Sequence, residues 1–505
     1  MCSQPASQSD RLMKYKLKIN LLASWGNHLV TVLIGLFLMP YVLTTVGDAQ
    51  YGLWLFICSF AGYSGLLNLG FGETVSRFVA HHHAKNEITK INQVVTVIGS
   101  VYLGMSAVLV GIAGLLAWLA PWLYDWGTTS ISEVRWVIVL LGANVAVGML
   151  GSVFGGVLIG LQRIDLERGF QTISGVARLG LTVLLLQQEH ALVTLATIFL
   201  LTTLIENIGY LTVVFRQMPG LRFGRRYLSR ETFKECFGFS MFALLENLAS
   251  RLIDATDTIV IGVMLGTRYI IPYFVAHRLM TVIVQPLQLI GGIIMPRGAE
   301  LGANEHSEKL RVLVQKGLGV SFLLTAGFFI GAWFFGGVVL ETWLDRSYEQ
   351  SHLILLILLG AQVVATPIHV LRGVLFGMGH VKVPALFYFV EAILNLVLTL
   401  ILIKPFGIVG VALGTAIPII LVELCVMLPY ALSLLRFEKS HFFQGVVIPQ
   451  VLPLAALWGY SFAVGVTFVI SPSWSPVLLV AAGGGIVLGA TWLASHHAAK
   501  KWLPA

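Results

Sequence analysis

Basic residues are unevenly distributed along this chain: lysine and arginine collect in every second gap between long apolar stretches. Of the 32 such residues, 24 lie near the two ends or in and beside these alternate gaps. The exceptions are four residues in the other gaps and four within apolar stretches: Arg135, Arg268, Arg346 and Lys404, and then Arg178, Arg251, Arg278 and Arg372. Positive charge accumulates in segments that stay on the cytoplasmic side of a membrane. The pattern predicts a polytopic membrane protein with an even number of spans and both termini in the cytoplasm.

Fourteen apolar stretches are long enough to cross the hydrocarbon core, which takes about 20 helical residues. Hydrophobic residues make up 57% of the chain and charged residues 11%, a balance that excludes an ordinary soluble domain. The first stretch is too long for the apolar part of a cleaved signal peptide, so we expect it to remain as a span. The predicted spans are 20–45, 51–71, 93–119, 134–160, 169–187, 191–215, 237–265, 269–295, 313–338, 352–377, 384–403, 408–434, 446–470 and 476–495.

The two halves of the chain resemble each other. Shifts of 217 to 219 residues superimpose four pairs of residues: Gly47 and Gly266, Ala80 and Ala299, Gly160 and Gly377, and Glu206 and Glu423. Six spans in each half give both halves one orientation and relate them by an axis along the membrane normal. The predicted fold is therefore an all-α polytopic membrane protein with about 14 transmembrane helices, arranged as two six-helix pseudo-symmetric bundles and two C-terminal helices.

This organisation is typical of a transporter, in which two similar bundles enclose a central cavity. The predicted segments are a cytoplasmic N-terminal tail (1–19), an N-terminal six-helix bundle (20–215), a basic cytoplasmic linker (216–236), a C-terminal six-helix bundle (237–435), and appended helices 13 and 14 with a cytoplasmic C-terminus (436–505). No loop is long enough to form a soluble catalytic domain.

The seventh span carries an unusual number of polar residues. Glu246, Asn247, Arg251, Asp254 and Asp257 fall within a 140° arc when the helix advances about 100° per residue. Ionisable groups at membrane depth are costly and usually face a cavity or a partner. Two interpretations remain open: the stripe lines a pathway or carries a coupling ion, or Arg251 and Asp254 neutralise each other across one turn.

Other ionisable residues lie inside predicted spans. Arg178 and Arg278 have no obvious acidic neighbour one turn away, so each predicts either an anionic ligand or a carboxylate on another helix. The candidate substrate-binding residues are Arg178, Arg251, Arg278, His277 and Arg372. The candidate ion-coupling residues are Asp254, Asp257, Glu246, Glu206 and Glu423. For Glu206, Glu391 and Glu423, a structural hydrogen-bonding role fits as well as a gating or proton role. Because six intramembrane acids outnumber four arginines, recognition of an anion by charge alone is not indicated.

Motifs for enzymatic chemistry are missing from the sequence. No Gly-Lys dipeptide occurs, so the chain has no phosphate-binding P-loop, and it contains neither a nucleophile elbow nor an HExxH zinc motif. The four cysteines are isolated, at positions that suit neither metal ligation nor a disulfide framework. We therefore expect no catalytic residue, no cofactor and no metal site.

Several short motifs resemble those of bacterial polysaccharide-transporter (Wzx-type) flippases. In the N-terminal half the similarity lies in Met39–Gly47, Tyr51–Trp54, Gly62–Tyr63, Leu67–Gly72, Arg77–Ala80 and Gly160–Arg163. In the C-terminal half it lies in Asp257–Gly262, Leu265–Gly266, Tyr273 and Ala276–Leu279. The resemblance covers residues 15–435 and places the chain in the multidrug/oligosaccharidyl-lipid/polysaccharide exporter superfamily, which implies a MATE-like fold.

The resemblance implies that the protein flips a polyprenyl-diphosphate-linked oligosaccharide across a bacterial plasma (inner) membrane. Arg178, Arg251 and Arg278 would contact the diphosphate or an acidic sugar, and Asp254 or Asp257 would carry a coupling proton. A polysaccharide polymerase and a chain-length regulator are the expected protein partners, and no nucleic acid is expected. Two alternatives are a drug/cation antiporter of the same superfamily, which would require the acids rather than the arginines, and a membrane glycan polymerase, against which the short outer loops argue.

Overall fold

A computed structural model describes residues 8–63, 71–303, 307–380, 382–435 and 437–502. Within α7 the side chains of Glu246, Asn247 and Asp254 lie outside the described residues. The part of the chain that the structure describes is helical and contains no β-strand. Its helices are α1 (Gln8–Tyr63), α2 (Phe71–Ala84), α3 (Ile88–Leu123), α4 (Ile131–Gly160), α5 (Ile164–Leu185), α6 (Ala191–Gln217), α7 (Arg230–Met264), α8 (Ile270–Ala303), α9 (Ser307–Leu344), α10 (Glu349–Gly377), α11 (Lys382–Val422), α12 (Leu428–Leu434), α13 (Lys439–Val446), α14 (Ile448–Thr467) and α15 (Trp474–Trp502).

The predicted all-helical membrane fold is confirmed, whereas the number of spans stays a prediction. Ten helical segments in the described ranges are long and apolar enough to cross a membrane. Two of them, Leu22–Tyr63 with 42 residues and Lys382–Leu434 with 53, are longer than the roughly 20 residues that one crossing needs. The helices α5 and α7, which carry Arg178 and the charged stripe, are not among the ten.

Both of these long segments are interrupted by a glycine with non-helical backbone. Gly47 in α1 has φ 81° and ψ 168°, and Gly407 in α11 has φ 57° and ψ −138°. A positive φ costs a residue with a Cβ atom free energy but costs glycine little. These glycines divide α1 and α11 at the places where the sequence predicts a turn between two spans.

The internal repeat is visible in the backbone. Residues with positive φ occur at matching positions of the two halves, with separations of 219, 218, 217 and 217 residues: Gly47 and Gly266, Gly127 and Asp345, Gln162 and Gly379, and His190 and Gly407. The helices that end at Gly160 and Gly377 also share one C-cap pattern, in which the next residue's N–H contacts two carbonyl oxygens of the last turn. The sequence identities are few, but the turns that they mark are repeated.

The chain divides into two compact units, Met1–Arg251 and Leu252–Ala505. The boundary between these units falls within α7, and the domain boundaries predicted from the sequence stay a prediction. In unit 1, α4 packs against α2, α3 and α6, and α1 packs against α5. Its buried core includes Phe71, Tyr102, Met149 and Tyr210.

The segment between the second and third predicted spans begins with a helix, α2, which the sequence analysis did not predict as a span. Phe71, Val75 and Val79 of α2 are buried in the core of unit 1, while His81 and His83 lie at its last turn. His82 Nδ1 is 2.7 Å from Glu87 Oε2, and this hydrogen bond lowers the pKa of Glu87 below its ordinary value. The apolar 3.6-residue spacing explains the helix, because it gives α2 one face to bury.

In unit 2, α10 is the central helix. It packs against α8, α9 and α11, and its buried residues Leu371, Val374 and Leu375 form a core with residues of α9 and of α12. The helices α14 and α15, which lie outside the sequence repeat, pack against each other and against α9. The C-terminal pair is therefore an integral part of unit 2.

Candidate functional site

Asp257 lies at the centre of a buried hydrogen-bonded group in unit 2. Its side chain belongs to α7 and is 3% exposed. The Tyr273 hydroxyl of α8 donates a hydrogen bond to Asp257 Oδ2, and Thr415 Oγ1 of α11 lies 2.9 Å from the same oxygen. Asn395 Nδ2 donates a hydrogen bond to Thr415 Oγ1 over 2.9 Å. We call Asp257, Tyr273, Asn395 and Thr415 the Asp257 cluster; it joins three helices around one carboxyl group.

Two glycines allow Thr415 to reach Asn395. After the bend at Gly407, the second arm of α11 runs back along the first. A Cβ atom on Gly410 would lie 2.0 Å from the Leu402 carbonyl oxygen, and one on Gly414 would lie 2.5 Å from Thr399 Oγ1. Only glycine permits so close an approach of two backbones.

The other candidate residues of α7 and α8, His277, Arg278 and Arg251, differ in their contacts and in their burial. The His277 ring stacks on Tyr273 with centroids 6.1 Å apart and an angle of 14° between the planes, which places this histidine beside the Asp257 cluster. Arg278 is half-buried, and Arg251 is exposed. Because the side chains of Glu246 and Asp254 lie outside the described residues, the pairing of Arg251 with Asp254 stays a prediction.

Arg372 forms an ion pair with Glu423. Arg372 Nη2 of α10 donates to Glu423 Oε1, and the two side chains are 11% and 5% exposed. The guanidinium carbon also lies 5.0 Å from the centre of the Tyr388 ring. Glu423 begins a π-helical turn, Glu423–Met427, of the kind that often occurs at functional sites. The sequence assigned these two residues to different roles, and the structure makes them partners.

Glu391 is a residue for which the sequence left two roles open, structural hydrogen bonding and a gating or proton role. It is 3% exposed on α11 and lies within electrostatic range of both Glu423 and Arg372. Its Oε2 atom has no hydrogen-bond partner among the described residues. Glu391 and Asn395 are one helical turn apart, so they share a face of α11. That spacing is the sequence signal that connects Glu391 with the Asp257 cluster.

In unit 1, Arg178 interacts with residues of α6. Its Nε and Nη2 atoms each lie 3.2 Å from Thr202 Oγ1, and its guanidinium carbon lies 4.0 Å from the centre of the Phe199 ring. Glu206 lies within electrostatic range. Of the two explanations that the sequence left open for Arg178, the carboxylate on another helix is present.

Glu206 belongs to a second polar group of unit 1. The Tyr210 hydroxyl donates to Glu206 Oε1 over 2.8 Å, and Gln171 Nε2 donates to Glu167 Oε1 over 2.6 Å. Glu167, at the start of α5, is 6% exposed and pairs with Arg168. Glu167 was not among the candidates from the sequence, because it precedes the predicted span 169–187, although its partners Arg168 and Gln171 lie on the same helix.

An apolar cavity of about 670 Å³ lies in unit 2 between α8, α9, α14 and α15. Val320 and Val339 mark its extent along α9, about 28 Å at 1.5 Å per residue, and Gly485 and Gly489 line its exposed side on α15. None of its described lining residues is charged. Such a cavity suits an extended hydrocarbon chain rather than a small polar ligand.

The described residues contain no group of three or more His, Cys, Asp or Glu side chains that could hold a metal ion. The buried charges instead form ion pairs and hydrogen-bonded groups, which can bind a proton, an ion or an anionic ligand. Together with the all-helical fold, they are typical of a multi-pass membrane transporter.

Comparison with known families agrees with this class. The model of the polysaccharide biosynthesis protein family matches residues 19–302, more than half of the chain, so the chain belongs to that family. The MatE family model matches residues 243–401. Members and relatives of this family are transporters and flippases rather than catalytic enzymes.

Three similar proteins support the assignment. The probable low-salt glycan biosynthesis flippase Agl15 of Haloferax volcanii is 22% identical over 248 residues, which are 48% of this chain and 52% of that protein, so the match spans about half of its length. The putative O-antigen transporter of Shigella flexneri is 19% identical over 397 residues, 78% of this chain and 92% of that protein. The lipid II flippase MurJ, in an inward closed conformation, has a similar fold with a TM-score of 0.72 and 12% identity, covering 94% of this chain and 97% of that structure.

Proposed function

We propose that this protein moves a polyprenyl-diphosphate-linked oligosaccharide from the inner to the outer leaflet of a bacterial plasma (inner) membrane. Its product would feed the synthesis of a surface polysaccharide, such as an O-antigen, a capsule or an exopolysaccharide. The names of the relatives support a glycan substrate, and family membership supports transport. Alternating access coupled to an ion gradient would drive the movement.

The observation that carries this proposal is the apolar cavity of unit 2. A lipid-linked glycan has a long hydrocarbon tail, which a membrane protein can accommodate along an uncharged surface while the polar head moves. The length of the cavity along α9, about 28 Å, is close to the ~30 Å thickness of the hydrocarbon core. A drug or cation antiporter has no need for such a surface.

Polar groups are required for the diphosphate and the sugars. Arg178 and Arg278 are half-buried cations that suit a phosphate oxygen, since a guanidinium donates several hydrogen bonds in a fixed geometry. Arg251, His277 and Arg372 complete the proposed set of substrate contacts. Arg372 already neutralises Glu423, so it would contact substrate only in a state in which that ion pair has opened.

The coupling ion would bind in the carboxylate clusters. Asp257 has the clearest geometry, because hydroxyl groups from two other helices meet its Oδ2 atom and the Asn395 amide donates to one of these hydroxyls. Glu206 and Glu423 are further candidates, as are Glu246 and Asp254. Glu206→Gln and Asp257→Asn would each remove a titratable group while keeping hydrogen-bonding atoms in place. Comparison of transport in a proton gradient and in a sodium gradient would distinguish the two ions.

Deletion of the gene, followed by extraction of lipid-linked glycans, tests the function. Accumulation of a polyprenyl-linked oligosaccharide together with loss of the surface polymer is the expected result, and mass spectrometry would identify the repeat unit. Single repeat units on the outer leaflet without polymer would instead indicate a polymerase. A polymerase and a chain-length regulator are the proposed partners of the flippase.

The second candidate is a MATE-type drug or cation antiporter, which the match of the MatE model to residues 243–401 favours. In that case the deletion strain would keep normal glycan lipids and become sensitive to cationic drugs. Asp257→Asn would reproduce that sensitivity, whereas Arg178→Gln would not.

A further inference from the structure

Inside unit 2, the acid Glu391 lies within electrostatic range of the Arg372–Glu423 ion pair. Arg372 on α10 is a permanent cation, because its guanidinium does not lose its proton in proteins. Glu391 on α11 and Glu423 at the start of the π-helical turn are both acids, and they are 3% and 4% exposed. One cation therefore faces two carboxyl groups in a region where water is largely excluded.

Arg372 and Glu423 account for one charge of each sign. They form a direct ion pair, and the Tyr388 ring stacks against the guanidinium from the α11 side. Glu391 forms none of these contacts, and its Oε2 atom has no hydrogen-bond partner among the described residues. An ionised carboxylate in such a position would carry an uncompensated charge, which is far more costly to bury than a neutral carboxyl group.

Within the described part of unit 2, Arg372 is the one basic residue in electrostatic range of Glu391, and Glu423 is the acid. Near Arg372, α10 also contributes His369 and α11 contributes Tyr388. His369 acts on Arg372 electrostatically and would only repel it if protonated. One turn further along α11, Asn395 leads to Thr415 and Asp257.

We propose that Glu391 is a proton-binding site that connects the Arg372–Glu423 ion pair with the Asp257 cluster. When Glu391 is protonated, the three side chains sum to zero charge and the ion pair is stable. When Glu391 releases its proton, the sum becomes −1 and two carboxylates compete for one guanidinium. Arg372 Nε has no hydrogen-bond partner among the described residues, so a donor is available to Glu391.

This competition would couple release of the proton by Glu391 to a movement of the neighbouring helices. Transfer of Arg372 from Glu423 to Glu391 would release the beginning of the π-helical turn and pull α10 toward the first arm of α11. The role of the site in transport rests on the ion-coupled function proposed above, but the binding of a proton by Glu391 does not.

Infrared difference spectroscopy of the full-length purified protein in lipid tests the proposal directly. The wild type at neutral pH should show the carbonyl band of a protonated, buried carboxyl group. Glu391→Gln should abolish one component of this band, while Glu349→Gln, at the exposed first position of α10, should leave the spectrum unchanged. Absence of the band from the wild type, or its persistence in the Glu391→Gln protein, would overturn the proposal.

A second variant, Glu423→Gln, tests whether Glu391 and Glu423 compete for Arg372. Glu423→Gln leaves Glu391 as the acid nearest to Arg372, so Glu391 should ionise and the same band component should vanish although Glu391 is still present. If that component remains, Glu391 is not in competition for Arg372 and the proposal fails.

Surface polymer production separates this proposal from the proposed function. If the polymer depends on the protein but the band does not depend on Glu391, the flippase stands and the proton site is wrong. If the band depends on Glu391 but deletion of the gene leaves glycan lipids and polymer normal, the proton site stands and the flippase is wrong.

Discussion

At the scale of single residues, the buried charges of this protein are explained by partners on other helices. Arg178 has Thr202 and Phe199 beside it and Glu206 within range, and Arg372 has Glu423 and Tyr388. A charge in a low-dielectric environment is tolerated when it is paired and hydrogen-bonded.

The free energy of unfolding should show that Glu391 and Glu423 can each serve as the carboxylate partner of Arg372. Glu391→Gln and Glu423→Gln should each cost little, since Arg372 keeps one carboxylate. The double variant strands a buried cation and should lose about 3 kcal/mol or more of unfolding free energy, the usual effect of removing the last partner of a buried charge.

Thermal unfolding of the purified variants would measure this difference. The triple variant that adds Arg372→Met is the control, because it removes the stranded cation and should recover much of the stability. A double variant whose loss merely equals the sum of the two single losses would contradict the idea that the acids are alternatives.

At the scale of helices, glycines determine how closely two segments approach. Gly410 and Gly414 let the second arm of α11 lie against the first, and this contact places Thr415 beside Asn395. On α15, Gly485 and Gly489 have the opposite effect: nothing lies within 4 Å of an added Cβ atom, so they widen the apolar cavity.

Gly414→Ala should destabilise the Asp257 cluster. Its methyl group would lie 2.5 Å from Thr399 Oγ1, so the two arms of α11 must move apart. We expect a loss of about 1–3 kcal/mol, as for other overpacked positions, and a lower unfolding temperature. Gly459→Ala, whose added atom meets nothing within 4 Å, is the matched control and should be neutral or slightly stabilising. Equal unfolding temperatures for the two variants would show that the arms are not held at this contact.

Filling the apolar cavity should impair transport without unfolding the protein. Gly489→Leu places a side chain in the cavity and replaces glycine with a better helix former, so stability should not fall. Surface polymer should decrease and lipid-linked oligosaccharide should accumulate. Gly459→Leu on α14 lies outside the cavity and should leave both quantities unchanged. Normal polymer in the Gly489→Leu strain would remove the cavity from the substrate path.

At the scale of the whole molecule, charge distribution predicts orientation. The basic segment 216–236 should be cytoplasmic, and the connection between α9 and α10 should face outward. In a background with the four native cysteines replaced by serine, Arg225→Cys should react with an impermeant thiol reagent only in permeabilised cells. Ser347→Cys should react in intact cells. Both positions are exposed, so accessibility within the fold does not limit labelling. The reverse pattern would invert the proposed topology.

The sequence alone determined the helical membrane fold and indicated the internal repeat, because these follow from local hydropathy and from turns that require particular residues. Gly47 and Gly407 lie where a break between spans was predicted. The sequence also singled out Asp257, Glu391 and Glu423, which are buried, since an ionisable residue within an apolar stretch is conspicuous in a single chain.

Only the tertiary structure decided which charges are partners. Arg372 and Glu423 are 51 residues apart in sequence, and Asp257 and Thr415 are 158 apart. No local pattern specifies such a contact, because it depends on which faces of separate helices pack together. For the same reason the sequence alone left the role of Glu391 open and did not reveal the apolar cavity, whose lining residues come from five helices. The local sequence determines the helices of this protein, and helix packing brings together the residues of its candidate sites.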